Sequence, residues 1–228
     1  MNICILIPVY NEAKNIGTLV KAVSAKGLDV IVIDDGSSDG SGELARQQGA
    51  FVIRHIERHG KGHALQSGFE CILERGYEAL IIMDGDGQHA VDDLEKFLNH
   101  PYLTAKCVIT GNRMHDPKEM PWVRFLTNHF MSFMISLACR QKIPDTQCGF
   151  RLIGRDVLKA LEITCDGFEI ETEILIKASK KGFPIYSVPI KTIYEDEESK
   201  ISPLRDTFRF VKYFTKEIFT FGKRTDLK

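Results

Sequence analysis

Two aspartates separated by one glycine, Asp84 and Asp86, follow directly on an apolar run of the chain. Carboxylates with this spacing can direct their oxygens to one hard cation, and Mg²⁺ and Mn²⁺ accept such ligands while keeping positions open for substrate phosphate. Gln88 adds a third oxygen. The segment predicts a Mg²⁺ or Mn²⁺ site formed by Asp84, Asp86 and Gln88, in which the metal would bridge a diphosphate. A solvated Asp-Gly turn has the same pattern, so the segment alone leaves both interpretations open.

A second aspartate pair, Asp34 and Asp35, ends the apolar run 30–33. A carboxylate buried at such a position loses several kcal/mol of solvation unless hydrogen-bond donors replace the water. Ribose hydroxyls or base N–H groups are suitable donors, which predicts that Asp34 contacts a nucleoside. Because Asp-Gly-Ser is also good turn chemistry, a purely structural interpretation stays open.

The elements that must position these side chains alternate between β-branched runs and segments of helical period, which is typical of a parallel sheet with crossover helices. In open sheets of this kind ligands bind beyond the carboxyl ends of the strands, where both aspartate pairs fall. We therefore predict an α/β fold with a mostly parallel sheet flanked by helices. The predicted strands are 3–9, 30–34, 50–54, 79–84 and 106–111, and the predicted helices are 13–26, 41–48 and 62–75.

The pattern changes after residue 111, where two prolines precede a long helical stretch. The predicted elements of this part are helices over 122–140, 168–180 and 203–221, a turn-rich segment over 143–149, a strand over 184–190 and a charged loop over 195–200. We predict one domain over 1–202, with a nucleotide-binding half (1–111) and an acceptor half (112–202). Residues 203–228 are predicted to form an amphipathic helical extension that lies at a membrane interface.

The overall composition of the 228-residue chain disfavours several classes of protein. Its formal net charge of −1 gives no global attraction to nucleic acid, and we predict no nucleic-acid partner. The six cysteines form no Cys-x-x-Cys pair, which favours buried free thiols of a cytoplasmic protein over a disulfide framework. The longest apolar stretch, 130–139, is about half of the roughly 20 residues that a membrane-spanning helix needs, so we predict no transmembrane helix.

Polar motifs stand at three predicted strand ends. They are Pro8-Val9-Tyr10-Asn11-Glu12, Asp34-Asp35-Gly36-Ser37 and Asp84-Gly85-Asp86-Gly87-Gln88-His89. In order and spacing they resemble glycosyltransferase family 2, whose members have the GT-A (Rossmann-like) fold. The resemblance implies a metal-dependent, inverting transfer of a sugar from a GDP- or UDP-sugar. It also implies that the metal is held by Asp84, Asp86 and Gln88, with Asp86 at the reaction centre, and that the nucleotide pocket is lined by Pro8, Tyr10, Glu12 and Asp35.

Further motifs extend over most of the remaining chain. They are Arg58-His59-Gly60-Lys61-Gly62, Thr110-Gly111-Asn112-Arg113, Asp145-Thr146-Gln147-Cys148-Gly149-Phe150-Arg151, Gly167-Phe168-Glu169, Glu171-Thr172-Glu173 and Glu198-Ser199-Lys200. They resemble the family branch that contains dolichol-phosphate mannosyltransferases and other polyprenyl-phosphate glycosyltransferases, which implies a lipid-phosphate acceptor. By this resemblance Arg113 and Arg124 bind the acceptor phosphate. Lys200 lies near the phosphates of donor or acceptor, and Lys61 contacts substrate.

The chemistry of the acceptor gives an independent criterion. A sugar hydroxyl needs a general base, whereas a phosphate monoester is already anionic near neutral pH and needs mainly positive charge to position it. Family members with hydroxyl acceptors usually carry an acidic pair before the acceptor helix, and the matching region here has only Asp145. A phosphate acceptor is favoured, while Asp145 as a base keeps a hydroxyl acceptor open. A sugar nucleotidyltransferase is a weaker alternative, because the chain has no glycine-rich, basic first loop for a triphosphate.

Two predicted helices combine aromatic residues with cations. Both 122–140 and 203–221 could lie on an anionic leaflet, with their apolar side toward the lipid and their cations toward the headgroups. Their aromatic residues could equally pack into the domain's own core. A peripheral position on the inner face of the cytoplasmic membrane is therefore predicted alongside a cytoplasmic one, and attachment through a membrane-protein partner or a homo-oligomer stays open.

Overall fold

The computed structural model describes residues 1–117, 120–167, 169–191, 193 and 214. These residues form a seven-stranded sheet that is covered on both faces. The strands are β1 (Ile3–Val9), β2 (Asp29–Asp34), β3 (Phe51–Arg54), β4 (Ala79–Ile82), β5 (Val108–Asn112), β6 (Arg151–Gly154) and β7 (Ile185–Pro189). The helices are α1 (Ile16–Ser24), α2 (Ser41–Gln47), α3 (Lys61–Arg75), α4 (Leu94–Leu98), α5 (Trp122–Cys139), α6 (Arg155–Ala160) and α7 (Ile170–Lys180).

The sheet is mostly parallel, as predicted, and has the strand order β3-β2-β1-β4-β6-β5-β7. β1 lies between β2 and β4, with Leu6 opposite Ile31 on one side and Ile82 on the other. β6 is the exception, because it runs antiparallel to both of its neighbours, β4 and β5. The carboxyl ends of β1, β2 and β4 therefore lie at the same edge of the sheet, where a ligand is expected.

The core forms one layer on each face of the sheet, and β1 contributes to both. Its odd-numbered residues lie in the layer that contains Ile16 and Val20 of α1. Leu6, in contrast, lies in the layer that contains Leu65 and Phe69 of α3. Because successive side chains of a strand point to opposite faces, a strand covered on both sides reads as a continuous apolar run. This explains the sequence of β1 and fixes the strand end that carries the first polar motif.

The structure differs from the sequence prediction at three short elements, because α4, α6 and β6 were not predicted. α4 and α6 have 5 and 6 residues, too few to show a helical period. β6 carries Arg151, which is only 1 % exposed, and a charged residue is not expected inside a buried strand. The predicted end of β4 at Asp84 is also wrong. The strand ends at Ile82, and the N–H of Asp84 bonds to a side chain instead of a neighbouring strand.

The predicted division into two halves falls inside one sheet. β6 and β7 of the second half pair with β4 and β5 of the first half. The predicted extension 203–228 and the loop 195–200 lie outside the described residues, apart from Phe214, which is buried against the core. Across the described ranges, no helix combines the length and apolar character that crossing a bilayer requires.

Candidate active site

The segment 84–86 follows β4 and packs against the end of β1. A Cβ atom on Gly85 would stand 2.8 Å from Cγ1 of Val9 and 3.4 Å from Cγ of Glu12, so only glycine lets the loop lie this close. The carbonyl of Asp86 accepts a hydrogen bond from Nδ2 of Asn15 (2.9 Å), directly before α1. The first and fourth strands thus bring their polar motifs together, as their order in the sheet predicts.

The two carboxylates of this segment differ in their electrostatic surroundings. Burial raises the pKa of Asp84, but Lys61, whose Nζ lies 2.6 Å from Oδ1, outweighs it together with other cations and lowers the pKa to about 2. Burial and the charge of Asp84 raise the pKa of Asp86 to about 6. Asp86 therefore stands where negative charge is crowded, and a bound cation would relieve that crowding.

The ring of His89 faces both the backbone N–H and the carboxylate of Asp84. The N–H of Asp84 donates to Nδ1 of His89 (3.1 Å), so the ring carries its proton on Nε2, which lies 3.8 Å from Oδ2 of Asp84. The ring is stacked on Phe150 with 4.9 Å between centroids. Burial is the main cause that lowers the pKa of His89 to about 4. His89 is thus a neutral hydrogen-bonding support of the carboxylate pair.

Lys61 joins this segment to a helix from the second half of the chain. Its Nζ donates to Oδ1 of Asp84 (2.6 Å) and to Oε1 of Glu171 (2.8 Å). Glu171 lies in the first turn of α7, 110 residues from Lys61 in sequence. The sequence singled out Glu171 only as part of a motif, and nothing in its spacing indicated that it would share a cation with Asp84.

Asp35 is buried beyond the end of β2 and is closely surrounded by donors. Its Oδ1 lies 2.8 Å from Nδ1 of His55 and accepts the N–H of His59 (3.0 Å), while Oδ2 accepts the N–H of Gly60 (2.7 Å). Burial raises the pKa of Asp35, but the hydrogen bonds from His55 and the two N–H groups outweigh it and lower the pKa. The ionised carboxylate therefore fixes the segment before α3 at this edge of the sheet.

Tyr10 also contacts the segment before α3, through Arg58. The guanidinium carbon of Arg58 stands 4.1 Å from the centroid of the Tyr10 ring, which is a cation–π contact. Pro8, Tyr10 and Glu12 are each half-buried at the end of β1, and the charge of Glu12 contributes to the raised pKa of Asp86. Of the residues predicted to line the nucleotide pocket, Pro8 and Glu12 thus lie beside the carboxylate pair, and Tyr10 lies at the segment before α3.

The Asp34 carboxylate has partners inside the protein and so does not require a ligand, while its predicted contact with a nucleoside stays a prediction. Its Oδ1 accepts the N–H of Ser37 (2.9 Å), and Nε of Arg54 lies 3.6 Å from its Oδ2. Both oxygens are therefore compensated inside the protein. The structure gives Asp34 the turn-forming role that its Asp-Gly-Ser context allowed.

Arg113 and Asp145, both expected to act on the acceptor, are bonded to each other. Nε and Nη2 of Arg113 donate to Oδ2 and Oδ1 of Asp145 (2.8 and 3.0 Å), and the backbone N–H of Arg113 adds a bond of 3.1 Å to Oδ2. Oδ1 also accepts the N–H of Gln147 (3.1 Å). The Asp145 side chain is fully buried and that of Arg113 is 8 % exposed. Burial raises the pKa of Asp145, but Arg113 outweighs it and lowers the pKa.

This ion pair changes what the two residues can do. A general base works best when its pKa lies near the operating pH, and both Asp145 oxygens already accept hydrogen bonds. Asp145 binds the edge of the Arg113 guanidinium that carries Nε and Nη2. A guanidinium has five N–H donors in a rigid fork, so these two bonds do not use all of its donors. Among the described residues, Nη1 of Arg113 has no hydrogen-bond partner and stays available to an anion.

Arg151 is a buried cation that the sequence analysis named only as the last residue of a motif, without a role of its own. Nη1 donates to the carbonyl of Glu171 (2.7 Å), and Nη2 donates to the carbonyls of Cys148 (3.1 Å) and Thr146 (3.4 Å). These bonds tie the turn 146–148 to the start of α7. Arg151 therefore fixes the turn 146–148 and the start of α7 relative to each other.

Helix α5 packs a face of mixed polar and apolar residues on the domain and turns an apolar face outward. Ser132, on the inner face, bonds through Oγ to Oγ1 of Thr146 (3.1 Å). The core-packing interpretation holds for Met131, Met134 and Ile135. Six exposed apolar side chains form what we call the α5 stripe, and each is between 48 % and 74 % exposed: Trp122, Val123, Leu126, Phe130, Phe133 and Leu137.

Two predicted phosphate-binding residues are not placed at the carboxylate pair by the contacts above. Arg124 lies half-buried in the first turn of α5, beside the start of the α5 stripe. Lys200 lies outside the described residues. Gln88 is half-buried, and its N–H donates to Oδ1 of Asp86 (3.0 Å). Its predicted role as a third metal ligand stays a prediction.

The donor set fits a divalent cation that substrate helps to bind. Within the described ranges, no three His, Cys, Asp or Glu side chains converge as a complete metal cage. Mg²⁺ and Mn²⁺ sites that handle phosphates commonly use one or two carboxylates, with substrate oxygens and water at the other positions. Asp84 and Asp86, with the crowded charge of Asp86, provide such a pair.

The fold of the protein is the GT-A fold. A solved structure with this fold is glucosyl-3-phosphoglycerate synthase from Mycobacterium tuberculosis in complex with Mn²⁺, UDP and glucosyl-3-phosphoglycerate. It superposes with a TM-score of 0.69 over 96 % of this chain and 79 % of that chain, at 17 % sequence identity.

The family follows from the sequence comparisons. The model described as glycosyl transferase family 2 matches residues 4–162, and the chain belongs to this family. The UDP-N-acetylglucosamine–dolichyl-phosphate N-acetylglucosaminyltransferase of Methanococcus voltae is 30 % identical over 217 residues, which cover 85 % of this chain and 86 % of that protein. The undecaprenyl-phosphate mannosyltransferase of Micrococcus luteus is 31 % identical over 222 residues, which cover 89 % and 88 %. The resemblance stated from the motifs is confirmed.

Proposed function

We propose that this glycosyltransferase moves a sugar from a GDP- or UDP-sugar to a polyprenyl phosphate, in a metal-dependent reaction that inverts the anomeric centre. The observation that carries the proposal is the Arg113–Asp145 pair. A hydroxyl acceptor would require a base at this position. The chain instead has a fully buried, ion-paired Asp145 of lowered pKa, next to an Arg113 guanidinium whose Nη1 faces an acceptor anion in our proposal. Positive charge without a base suits a phosphate acceptor.

The relatives and neighbours support the same reaction. Two relatives of similar length are named for transfer to dolichyl phosphate and undecaprenyl phosphate. The solved glucosyl-3-phosphoglycerate synthase was obtained with Mn²⁺ and UDP, which supports a divalent metal and a nucleotide donor for this fold. Transfer to a hydroxyl of a glycan or glycolipid is the second candidate, and it would need a base other than Asp145.

In the proposed reaction an oxygen of the acceptor phosphate attacks the anomeric carbon of the sugar. The bond from that carbon to the donor diphosphate breaks, and its electron pair leaves with the nucleoside diphosphate. Asp84, Asp86 and Gln88 would hold the metal, which supplies positive charge to the departing diphosphate. Tyr10 and Asp35 would position the nucleoside. Arg113, held by Asp145, would orient the attacking phosphate.

The proposed acceptor sits in a bilayer, and the α5 stripe suits that surface. α5 has no acidic residue, and the cations Arg124, Arg140 and Lys142 lie on it or directly after it. A helix with an exposed apolar face and cations at its borders binds the interface of an anionic leaflet. We therefore assign the protein a peripheral membrane position, with α5 against the lipid.

Replacing Phe130 and Phe133 together by serine is expected to weaken binding to anionic vesicles by about tenfold, because two exposed aromatic side chains no longer enter the interface. Sedimentation with phosphatidylglycerol vesicles measures this. Ile56→Ser is the matched control, since Ile56 is fully exposed but lies outside α5, and it should leave vesicle binding unchanged. Equal vesicle binding by the wild type, the double variant and Ile56→Ser would argue against lipid as the partner of α5. The same conclusion would follow if the wild type proved to be a dimer that the double substitution dissociates.

The donor assignment is tested by thermal unfolding with a panel of nucleoside diphosphates, with and without Mn²⁺. A ligand that binds only the folded state raises the unfolding midpoint by mass action. We expect a rise for GDP or UDP that requires Mn²⁺ and no rise for ADP-ribose. Absence of any Mn²⁺-dependent rise across the panel would contradict the proposed donor site.

A further inference from the structure

Lys61 lies between two carboxylates that come from opposite halves of the chain. Its Nζ is 2.6 Å from Oδ1 of Asp84 and 2.8 Å from Oε1 of Glu171. The side chains of Lys61 and Glu171 are each only 13 % exposed, so water screens these charges weakly. The Lys61 ammonium therefore balances charge at the place where a divalent cation is proposed to bind.

The two helix starts that carry this contact are fixed independently of it. The N–H of Gly62 donates to the carbonyl of Asp166 (2.8 Å), which ties the start of α3 to the loop before α7. The carbonyl of Glu171 accepts Nη1 of Arg151 (2.7 Å). Because backbone and core hold both ends, Lys61 and Glu171 meet without needing a ligand to bring them together.

The backbone of Gly149 also lies close to the Lys61 ammonium. A Cβ atom on Gly149 would stand 2.6 Å from Oδ2 of Asp84 and 3.1 Å from Nζ of Lys61, so Gly149 lets both groups fit against the backbone. Lys61 contacts Oδ1 of Asp84, whereas Oδ2 faces Nε2 of His89 at 3.8 Å. An incoming cation at Asp84 must therefore compete with the charge of Lys61.

We propose that Lys61 is a built-in counter-ion of the metal site and that Glu171 is a positioning residue that sets how strongly Lys61 competes with the metal for Asp84. The inference rests on the proposed function, because it takes Asp84 and Asp86 as the metal-holding pair. Glu171 shares the ammonium and so limits its hold on Asp84. A metal that must compete in this way binds weakly by itself and more tightly together with a donor diphosphate, which brings further negative oxygens.

The proposal predicts opposite effects for the two residues. Glu171→Gln removes one of the two carboxylates that share the Lys61 ammonium within the described residues, tightens the pair with Asp84 and weakens Mn²⁺ binding. Lys61→Met removes the competing charge and strengthens Mn²⁺ binding in the absence of donor, although it removes a substrate-binding cation. In the double variant the effect of Glu171→Gln should disappear, because it acts through Lys61.

The experiment is a Mn²⁺ titration of the full chain without donor, with free Mn²⁺ followed by electron paramagnetic resonance. Each single substitution should change the dissociation constant by about tenfold, in the middle of the range usual for coupled neighbouring groups, and in opposite directions. Matched controls are Lys26→Met and Glu95→Gln, since Nζ of Lys26 lies 3.2 Å from both Asp92 and Glu95 far along the chain. These controls should leave Mn²⁺ binding unchanged.

Two outcomes would overturn the inference. If Glu171→Gln weakens Mn²⁺ binding equally with and without Lys61, Glu171 acts by its own charge and not by positioning Lys61. If Lys61→Met weakens Mn²⁺ binding while circular dichroism shows a folded protein, Lys61 is not a competitor. Lys61→Gln, which keeps a hydrogen-bond donor, replaces Lys61→Met if the methionine variant unfolds. Failure of the proposed function has a different signature, because Asp86→Asn would then bind Mn²⁺ as the wild type does.

Discussion

Replacing Asp86 by asparagine is expected to lower sugar transfer by about a thousandfold, the upper end of the usual effect of removing one group that stabilises charge in a transition state. Asparagine keeps the acceptor for the N–H of Gln88 but removes the charge. Without that charge the carboxylate pair is reduced to Asp84, which Lys61 already occupies at one oxygen. Calorimetry with nucleoside diphosphate should show that Mn²⁺-dependent binding is lost as well.

The metal-free Asp86→Asn protein should be at least as stable as the wild type. Burial and the charge of Asp84 disfavour the ionised Asp86, as its raised pKa of about 6 indicates, so removing the charge relieves repulsion. Asp92→Asn is the control, because Asp92 lies six residues further along the chain in a helical turn and its side chain is 96 % exposed. Transfer by Asp86→Asn at the wild-type rate would remove Asp86 from the metal site.

Replacing Asp145 by asparagine is expected to lower the free energy of unfolding by about 3 kcal/mol, because breaking a buried ion pair leaves one charge uncompensated. Asp145 is fully buried and accepts four hydrogen bonds, three of them from Arg113. Urea denaturation at neutral pH measures the loss. Glu95→Gln, in an exposed ion pair with Lys26, should change the free energy of unfolding by less than about 0.5 kcal/mol.

The effect of Asp145→Asn should depend on pH in a defined direction. The pKa of Asp145 is lower in the folded protein than the value of about 3.9 expected for the unfolded chain. The stabilisation by its ionised form is thus complete above that unfolded value and is lost as the pH falls through the folded one. The difference between wild type and Asp145→Asn should therefore shrink below about pH 4. A variant of unchanged stability that has lost only its turnover would instead indicate that Asp145 is the base of a hydroxyl-directed reaction.

The sequence predicted those parts of the site that lie within single strand ends. Asp84 and Asp86 follow an apolar strand, and the parallel order of the strands brings that strand's end next to Tyr10 and Glu12. Periodicity and strand-end position are local properties, so one sequence contains them. The family resemblance then supplied the predicted roles of these residues.

The sequence did not predict contacts between distant elements. Lys61 and Glu171 meet because the starts of α3 and α7 are packed together, and Arg113 meets Asp145 across 32 residues. No periodicity encodes such pairs. β6 was missed for a related reason, because it carries a buried Arg151 whose two terminal nitrogens donate to carbonyls of other segments, and this charge contradicts the apolar pattern of a central strand.

The same limitation explains the two interpretations that sequence left open. Whether the Asp34 carboxylate required a ligand depended on Ser37 and Arg54, whose positions follow from the turn and from β3. Whether α5 packed inward or outward depended on which of its faces met the core. The answer is divided, with Met131 and Met134 inside and Phe130 and Phe133 outside.

The most direct test of the proposed activity compares two acceptors that differ only in the phosphate. The full chain is incubated with GDP- and UDP-sugars, Mn²⁺ and either polyprenyl phosphate or the corresponding free polyprenol in detergent, and the lipid products are identified by mass spectrometry. We predict one added sugar on the polyprenyl phosphate, release of one nucleoside diphosphate for each transfer, and no product from the polyprenol. Equal transfer to the free polyprenol, or no transfer to the phosphate by folded protein with any donor, would contradict the account.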